Sequence, residues 1–349
     1  MIEFSQVVID QLVIHQIGCK AQGEPVKFSK TPYQMLQDEA VGDLLINYFF
    51  RPFKSEAFFN FTHPDDLANN EAYALALQLF DDPASFMQVS MALANRLYEA
   101  SNHSMIKGGE FYMVLFRNCV VDGEVVDGLG IFKSETKETF LKVYMKDQNF
   151  ELGAQEGINV KRLDKGCIIF NTERDLGLKV CSVDNVNKGN EARFWRDDFL
   201  GLKPREDNYY FTNSYMKMCR EFAGEVFNTE NKVPKADQID LLNRSIEFFN
   251  KKDSFSEQDF QDEVIRQPEA INAFNQFKEY YEAEHEMPLL TEFDISKSAV
   301  QGEKRHFKSI LKLDKNFHVY IHGKKNYIER GFDNDKGLNF YKLYFDVES

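Results

Sequence analysis

Residues 110–121 read Glu-Phe-Tyr-Met-Val-Leu-Phe-Arg-Asn-Cys-Val-Val, Asp122-Gly123 follow, and residues 124–133 return as Glu-Val-Val-Asp-Gly-Leu-Gly-Ile-Phe-Lys. Two runs of β-branched and aromatic residues around an Asp-Gly pair predict a β-hairpin, because both turn positions of a tight hairpin need positive φ. Glu138 to Met145 alternates apolar and polar residues, and Gly166 to Asn171 is a short apolar run of the buried-strand kind. Together they predict a meander of about four strands. The glycine-bounded turns and most of the unusual lysines of the chain fall between Met105 and Asn171, so function is sought there first.

Two stretches connect these strands: Gly128-Leu-Gly-Ile-Phe-Lys-Ser-Glu135 and Lys161-Arg-Leu-Asp-Lys-Gly-Cys-Ile-Ile-Phe-Asn171. With Tyr98 to Glu110 (Tyr-x4-His-x2-Ile-Lys-Gly-Gly-Glu) and Phe194-Trp195-x2-Asp198-Phe199-Leu200, the chain resembles the bacterial nucleoid-associated protein family of the NdpA/YejK type. The resemblance covers residues 7 to 227 well and the last 120 residues loosely. It implies nucleoid association, names no catalytic residues to carry over, and makes a DNA enzyme such as a topoisomerase a plausible partner.

Composition sets outer bounds. A chain of 349 residues with 33 Phe and 15 Tyr has the length and apolar mass for two domains with separate cores. Met1 to Asp10 holds two acids and no basic residue, and no apolar run reaches membrane-spanning length, so neither a signal peptide nor a transmembrane helix is expected. Five scattered cysteines without Cys-x2-Cys spacing read as reduced cytosolic thiols, mostly core, which predicts a cytoplasmic protein; that it sits at the nucleoid is what the resemblance implies. The net charge of −14 repels a polyanion, so a direct DNA contact has to be local to a patch. Residues 1–100 carry 6 basic and 13 acidic side chains, residues 101–230 carry 18 and 21, and residues 231–296 carry 7 and 15. Only residues 297–349, with 11 and 7, are net basic.

Along the chain, Gln6 to Ile17 predicts a first strand. Helices are predicted from Thr31 (Pro32 at the first position, Gln34 in a capping box, Leu36, Ala40, Leu44 and Tyr48 down one face), over Asp66–Phe80, and from Asp82-Pro83 with Phe86, Val89, Leu93 and Leu97 inward. Gly177 to Asp184 predicts a strand and Thr212 to Phe227 a helix. Asn228 to Ala236 is the most linker-like stretch, so the boundary is placed between a core domain at 1–228 and a helical and β domain at 229–349. The second part predicts helices over 236–250, 256–266 and 269–286, then strands over 307–313, 316–322 and 338–346. The expected class is α+β: a mixed N-terminal domain with an antiparallel meander flanked by helices, and a C-terminal helical segment closed by a small antiparallel sheet.

The candidate nucleic-acid contacts are Lys133, Lys161, Arg162 and Lys165 around the two connecting stretches, Arg193 and Arg196 flanking Trp195, and Lys304, Arg305, Lys308, Lys312, Lys324 and Lys325 near the C-terminus. A glycine-bounded loop can offer side chains and backbone N–H groups to phosphate, and Trp195 could stack on bases. The competing readings are lysines protecting a strand edge and a tryptophan that is a packed anchor. His318, Tyr320 and His322 alternate onto one face of a strand, which with Lys308 and Lys312 reads as a polyanion-facing sheet. Asp127 with Glu135-Thr136-Lys137 matches the order of acidic residues in metal-dependent nucleases, but eight residues along one strand separate the two carboxylates by about 26 Å. His63-Pro64-Asp65-Asp66 reads as a helix cap before it reads as a metal site.

These readings converge on a non-enzymatic nucleoid-associated protein that binds DNA with little sequence preference. The alternative is a protein–protein adaptor that reaches the nucleoid through a DNA enzyme, and a metal-dependent nuclease ranks third. No cofactor, metal or membrane partner is expected. The partners expected are DNA, directly or through a protein such as a topoisomerase, and a second copy of the chain.

Overall fold

The structure of the chain, a computed structural model, describes residues 2–33, 39–54, 56–103, 105–186, 193–228, 230–231, 233–307, 310–313, 315, 317–320 and 327–347. It is an α+β protein of two compact units, Met1–Arg205 and Glu206–Ser349.

The first unit is built on one antiparallel sheet. Its strands are β1 (Ile2–Glu3), β2 (Val8–Ile17), β3 (Phe59–Phe61), β4 (Gly109–Val121), β5 (Glu124–Ser134), β8 (Lys165–Phe170), β9 (Lys179–Asp184) and β10 (Leu202–Pro204). The order is β1-β4-β5-β8-β9-β3-β10, with β2 also pairing to β4. The predicted hairpin is β4–β5, with Val121 opposite Glu124 and positive φ at Asp122 and Gly123, the conformation its Asp-Gly pair favours.

Both faces of the sheet are apolar because both are covered. On one, Met113, Leu115, Leu129, Ile131, Cys167, Ile169 and Val180 pack under α2 (Glu71–Asp81), α3 (Phe86–Ala100) and a π-helical segment, Phe194–Leu200. On the other, Tyr112, Val114, Phe116, Phe132, Ile168 and Phe170 meet α1 (Glu39–Phe50), where Phe49 stacks on Phe132 at 4.2 Å. Gly130 leaves room for this layer, since a Cβ there would lie 2.5 Å from the rings of Phe116 and Phe132.

The caps explain where the helices begin. Asp82 accepts from the Ala84 N–H with Pro83 next, and Phe86, Val89, Leu93 and Leu97 are buried as the sequence predicts. Asp66 caps only a short turn, Leu67–Asn69, and Asn70 caps α2 by accepting from the Tyr73 N–H. Of the helix expected from Thr31, the described part is Glu39–Phe50, and residues 34–38, with Gln34 and Leu36, lie outside the described residues. Residues 31–33 are irregular, and the Tyr33 N–H bonds to the Leu12 carbonyl.

The third strand of the expected meander is a correction. Glu138–Lys146 (β6) pairs with Asn149–Gly157 (β7) in a separate two-stranded ribbon, and the sheet passes from β5 directly to β8.

The second unit has its own aromatic core, Tyr215, Phe222, Phe249, Phe255, Phe260 and Phe274 among others. It is assembled from α4 (Asn208–Glu225), α5 (Lys235–Lys251), α6 (Glu257–Phe260), α7 (Pro268–His285) and α8 (Lys297–Lys304), with the hairpin of β11 (Ser254–Ser256) and β12 (Glu292–Asp294). Because α4 buries Tyr215, Met218, Cys219 and Phe222 in this core, the compact units divide at residues 205/206, ahead of the polar stretch at 228–236 chosen from sequence. Two further hairpins follow: β13 (Ile310–Leu313) with β14 (Phe317–Tyr320), and β15 (Ile328–Asp333) with β16 (Leu338–Leu343).

Candidate nucleic-acid interface

The two stretches that carry the family resemblance lie side by side. Gly130 faces Ile168, Ile131 faces Cys167 and Lys133 faces Lys165, with Ile131, Ile168 and Phe170 fully buried. The lysines at their ends are also buried, at 0% exposure each. This corrects their assignment as DNA contacts, because an ammonium without solvent access cannot reach a phosphate.

Their partners explain the burial. Lys133 Nζ donates to Glu135 Oε1 at 2.8 Å and to the Lys107 carbonyl at 2.6 Å. Lys165 Nζ lies 3.0 Å from the same Glu135 oxygen and 3.6 Å from Asp184 Oδ1. Two ammoniums and two carboxylates thus balance beneath the Phe194 ring, whose centroid is 5.9 Å and 5.5 Å from the two nitrogens. Desolvation pushes the Lys133 ammonium below the usual lysine range, against the pull of Glu135. Replacing either partner leaves an uncompensated charge in the core.

Asp164 completes the arrangement. Its Oδ2 accepts from the backbone N–H groups of Glu135 and Thr136, at 2.7 and 2.8 Å. The aspartate between Lys161 and Lys165 therefore fixes the point where the chain leaves β5 for the ribbon. Asn159 donates to the Glu138 carboxylate at 3.0 Å, and Lys137 pairs with Glu110 at 2.7 Å. The two stretches anchor the ribbon's root.

The nuclease order does not assemble. Asp127 pairs with Arg117 at 2.5 Å, Glu135 neutralises the buried lysines, and Lys137 is spent on Glu110. His63 Nδ1 accepts from the Asp65 N–H, and Asp66 caps the short Leu67–Asn69 turn, the capping role read for an aspartate of this segment. Among the described residues, no group of three or more His, Cys, Asp or Glu is placed to hold a metal.

The remaining candidates separate by exposure. Lys161 and Arg162 are exposed, with Arg162 Nε 3.8 Å from Asp164 Oδ1. Trp195 is fully buried against Phe199 at 5.1 Å, which makes it a packed anchor. Arg193 is exposed, while Arg196 is half-buried, pairs with Asp197 at 2.8 Å and lies over Phe59. Lys304 ends α8 and is exposed, as is Arg305, whose Nε lies 3.1 Å from His306 Nε2. Lys308, Lys324, Lys325 and His322 fall outside the described residues, as does the side chain of Lys312, whose backbone pairs with His318. Of the face expected to meet a polyanion, His318 and Tyr320 are exposed, while Val319 turns inward toward Ile239 and Leu311.

One grouping was missed in the sequence. Arg51 and Lys54, just past the end of α1, line a concavity of ≈740 Å³ with Lys161, over a floor that includes Phe4, Leu44 and Phe50. All three cations are exposed and none is ion-paired among the described residues. The signal was present as Arg51-Pro52-Phe53-Lys54, but residues 51 and 161 are joined only by the fold.

A family model described as nucleoid-associated protein YejK matches residues 13–339. The chain belongs to this family. The match extends through most of the second unit, which the sequence resemblance covered only loosely, and it gives the chain a nucleoid-associated role. No curated protein matches the chain. No helix among the described residues is long and apolar enough to cross a membrane.

Proposed function

We propose that this nucleoid-associated protein binds duplex DNA directly, without catalysis and with little sequence preference, through the concavity lined by Arg51, Lys54 and Lys161. The observation that carries the reading is the convergence of three unpaired cations in a chain whose net charge is −14. Such a patch makes local phosphate contacts while the rest of the surface repels the polyanion, which favours backbone over base contacts. Arg162, beside Lys161, extends the patch. Lys304 and Arg305 on the second unit are a further, weaker contribution.

The same net charge, with Lys133 and Lys165 withdrawn into the core, favours a second reading. In it the protein is an adaptor held at the nucleoid by a DNA enzyme such as a topoisomerase. One experiment separates the two: purified protein, free of partners, with linear duplex and supercoiled plasmid at low salt and magnesium. Direct binding retards both and leaves the plasmid supercoiled. Failure to retard either would pass the function to the adaptor, and nicking lost in Glu135→Ala would overturn the non-catalytic reading.

A further inference from the structure

The ribbon β6–β7 stands apart from every other strand pair of the first unit. Each residue of β6 is exposed, and among the described residues the ribbon has no third strand. An isolated two-stranded hairpin is marginal in water, and partner strands or a covering layer normally supply the missing burial.

Its two faces differ. On one, Phe140 lies over Gly157 and Tyr144 over Gly153, so the ribbon's own aromatics cover its glycines. Lys142 and Lys146 share that face. On the other, the cross-strand pairs are Leu141–Ala154, Val143–Leu152 and Met145–Phe150. The five large side chains there are between 62% and 75% exposed, and the charged residue sharing their face is Glu156, opposite Thr139 at the root of the ribbon. The root is held by Asp164, by Asn159 on Glu138 and by Lys137 on Glu110, so this face is presented on a fixed base.

We propose that the ribbon is a dimerisation arm, and that its apolar face packs against the same face of a second copy of this chain. From Leu141 to Phe150 the patch is apolar, and an apolar patch is complementary to itself, which a two-fold interface requires. It carries no cation to attract nucleic acid. Five such side chains, about two-thirds exposed, present on the order of 500–600 Å² per copy. The pair buries roughly 1,000–1,200 Å², the lower bound for a specific interface. The contact is therefore a reversible dimer, and each dimer carries two copies of the basic concavity.

The test is sedimentation equilibrium of the full chain over a concentration series, compared with Val143→Glu/Leu152→Glu and with Lys142→Glu/Lys146→Glu. The proposal expects a concentration-dependent dimer in the parent. Acids on the apolar face should weaken it by roughly a hundredfold or more, because they oppose their own copies across the axis. The reversed charges on the opposite face should leave it intact. Circular dichroism and the melting temperature report whether each variant is folded, and Leu152→Cys, which should cross-link two copies under mild oxidation, gives an independent reading. A parent that stays monomeric at high concentration, or a dimer indifferent to Val143→Glu/Leu152→Glu, would overturn the proposal, as would a ribbon whose apolar face binds only a different protein.

Discussion

Two hairpins of the first unit are local equivalents with opposite fates. In β4–β5 and in β6–β7, alternating apolar strands turn on two residues of positive φ, Asp122-Gly123 in the first and Asp147-Gln148 in the second. The first is buried on both faces by α1 on one side and by α2, α3 and the π-helical segment on the other. The second is exposed throughout β6. Alternation and turn chemistry specify a strand pair, but they do not specify what covers it. Here Asp164 decides, by fixing residues 135–136 where the chain leaves the sheet.

The comparison is sharpest at the charged end of the buried hairpin. Glu135→Ala would leave two buried ammoniums with Asp184 alone to offset them, and unfolding by urea should show a loss of about 3–5 kcal/mol. A variant as stable as the parent would mean that the quartet is solvated. Phe170→Ala, with no charge involved, should cost about 3–5 kcal/mol through the cavity it leaves. The matched substitution on the exposed hairpin, Phe150→Ser, should change the stability of the monomer by no more than about 0.5 kcal/mol. Similar losses at both positions would erase the distinction between the hairpins.

A smaller effect tests the buried layer through pH. The Ser29 N–H donates to His15 Nδ1 at 3.1 Å, which leaves Nε2 to donate to Ser90 Oγ at 3.0 Å, so the neutral ring satisfies both nitrogens. Burial lowers the His15 pKa from 6.5, outweighing the backbone hydrogen bond that raises it. Below pH 6.5 the unfolded chain takes up a proton that the folded chain resists, so stability present above that pH is lost as pH falls toward the lowered value. Thermal melts of the parent and His15→Asn between pH 7 and 5 should show a component of the acid slope that the variant lacks.

Much of the fold was legible. The β4–β5 hairpin and the start of the helical stretch at Asp82 each rest on local chemistry, Asp122-Gly123 in the first and Asp82-Pro83 in the second. The site was less so. Lys133 and Lys165 read as edge cations because their counter-charges arrive from outside their own strands: Glu135 folds back just past β5, and Asp184 comes from β9. Lys165→Ala therefore removes part of the core, where the sequence reading made Lys165 a surface contact. The second strand of the ribbon was missed because Gly153, Ala154 and Gly157 dilute the alternation of Phe150 and Leu152. The basic concavity joins the end of α1 to the loop before β8, a proximity only the fold creates.

The same contrast between inside and outside sorts the cations, and salt dependence of duplex affinity tests that sorting most directly. Each phosphate contact contributes about 0.9 to the slope of log affinity against log salt on duplex DNA. Arg51→Ala/Lys54→Ala/Lys161→Ala should therefore flatten the slope by about two to three units while its melting temperature stays near that of the parent. A slope unchanged by all three substitutions would contradict the assignment of DNA contact to this concavity.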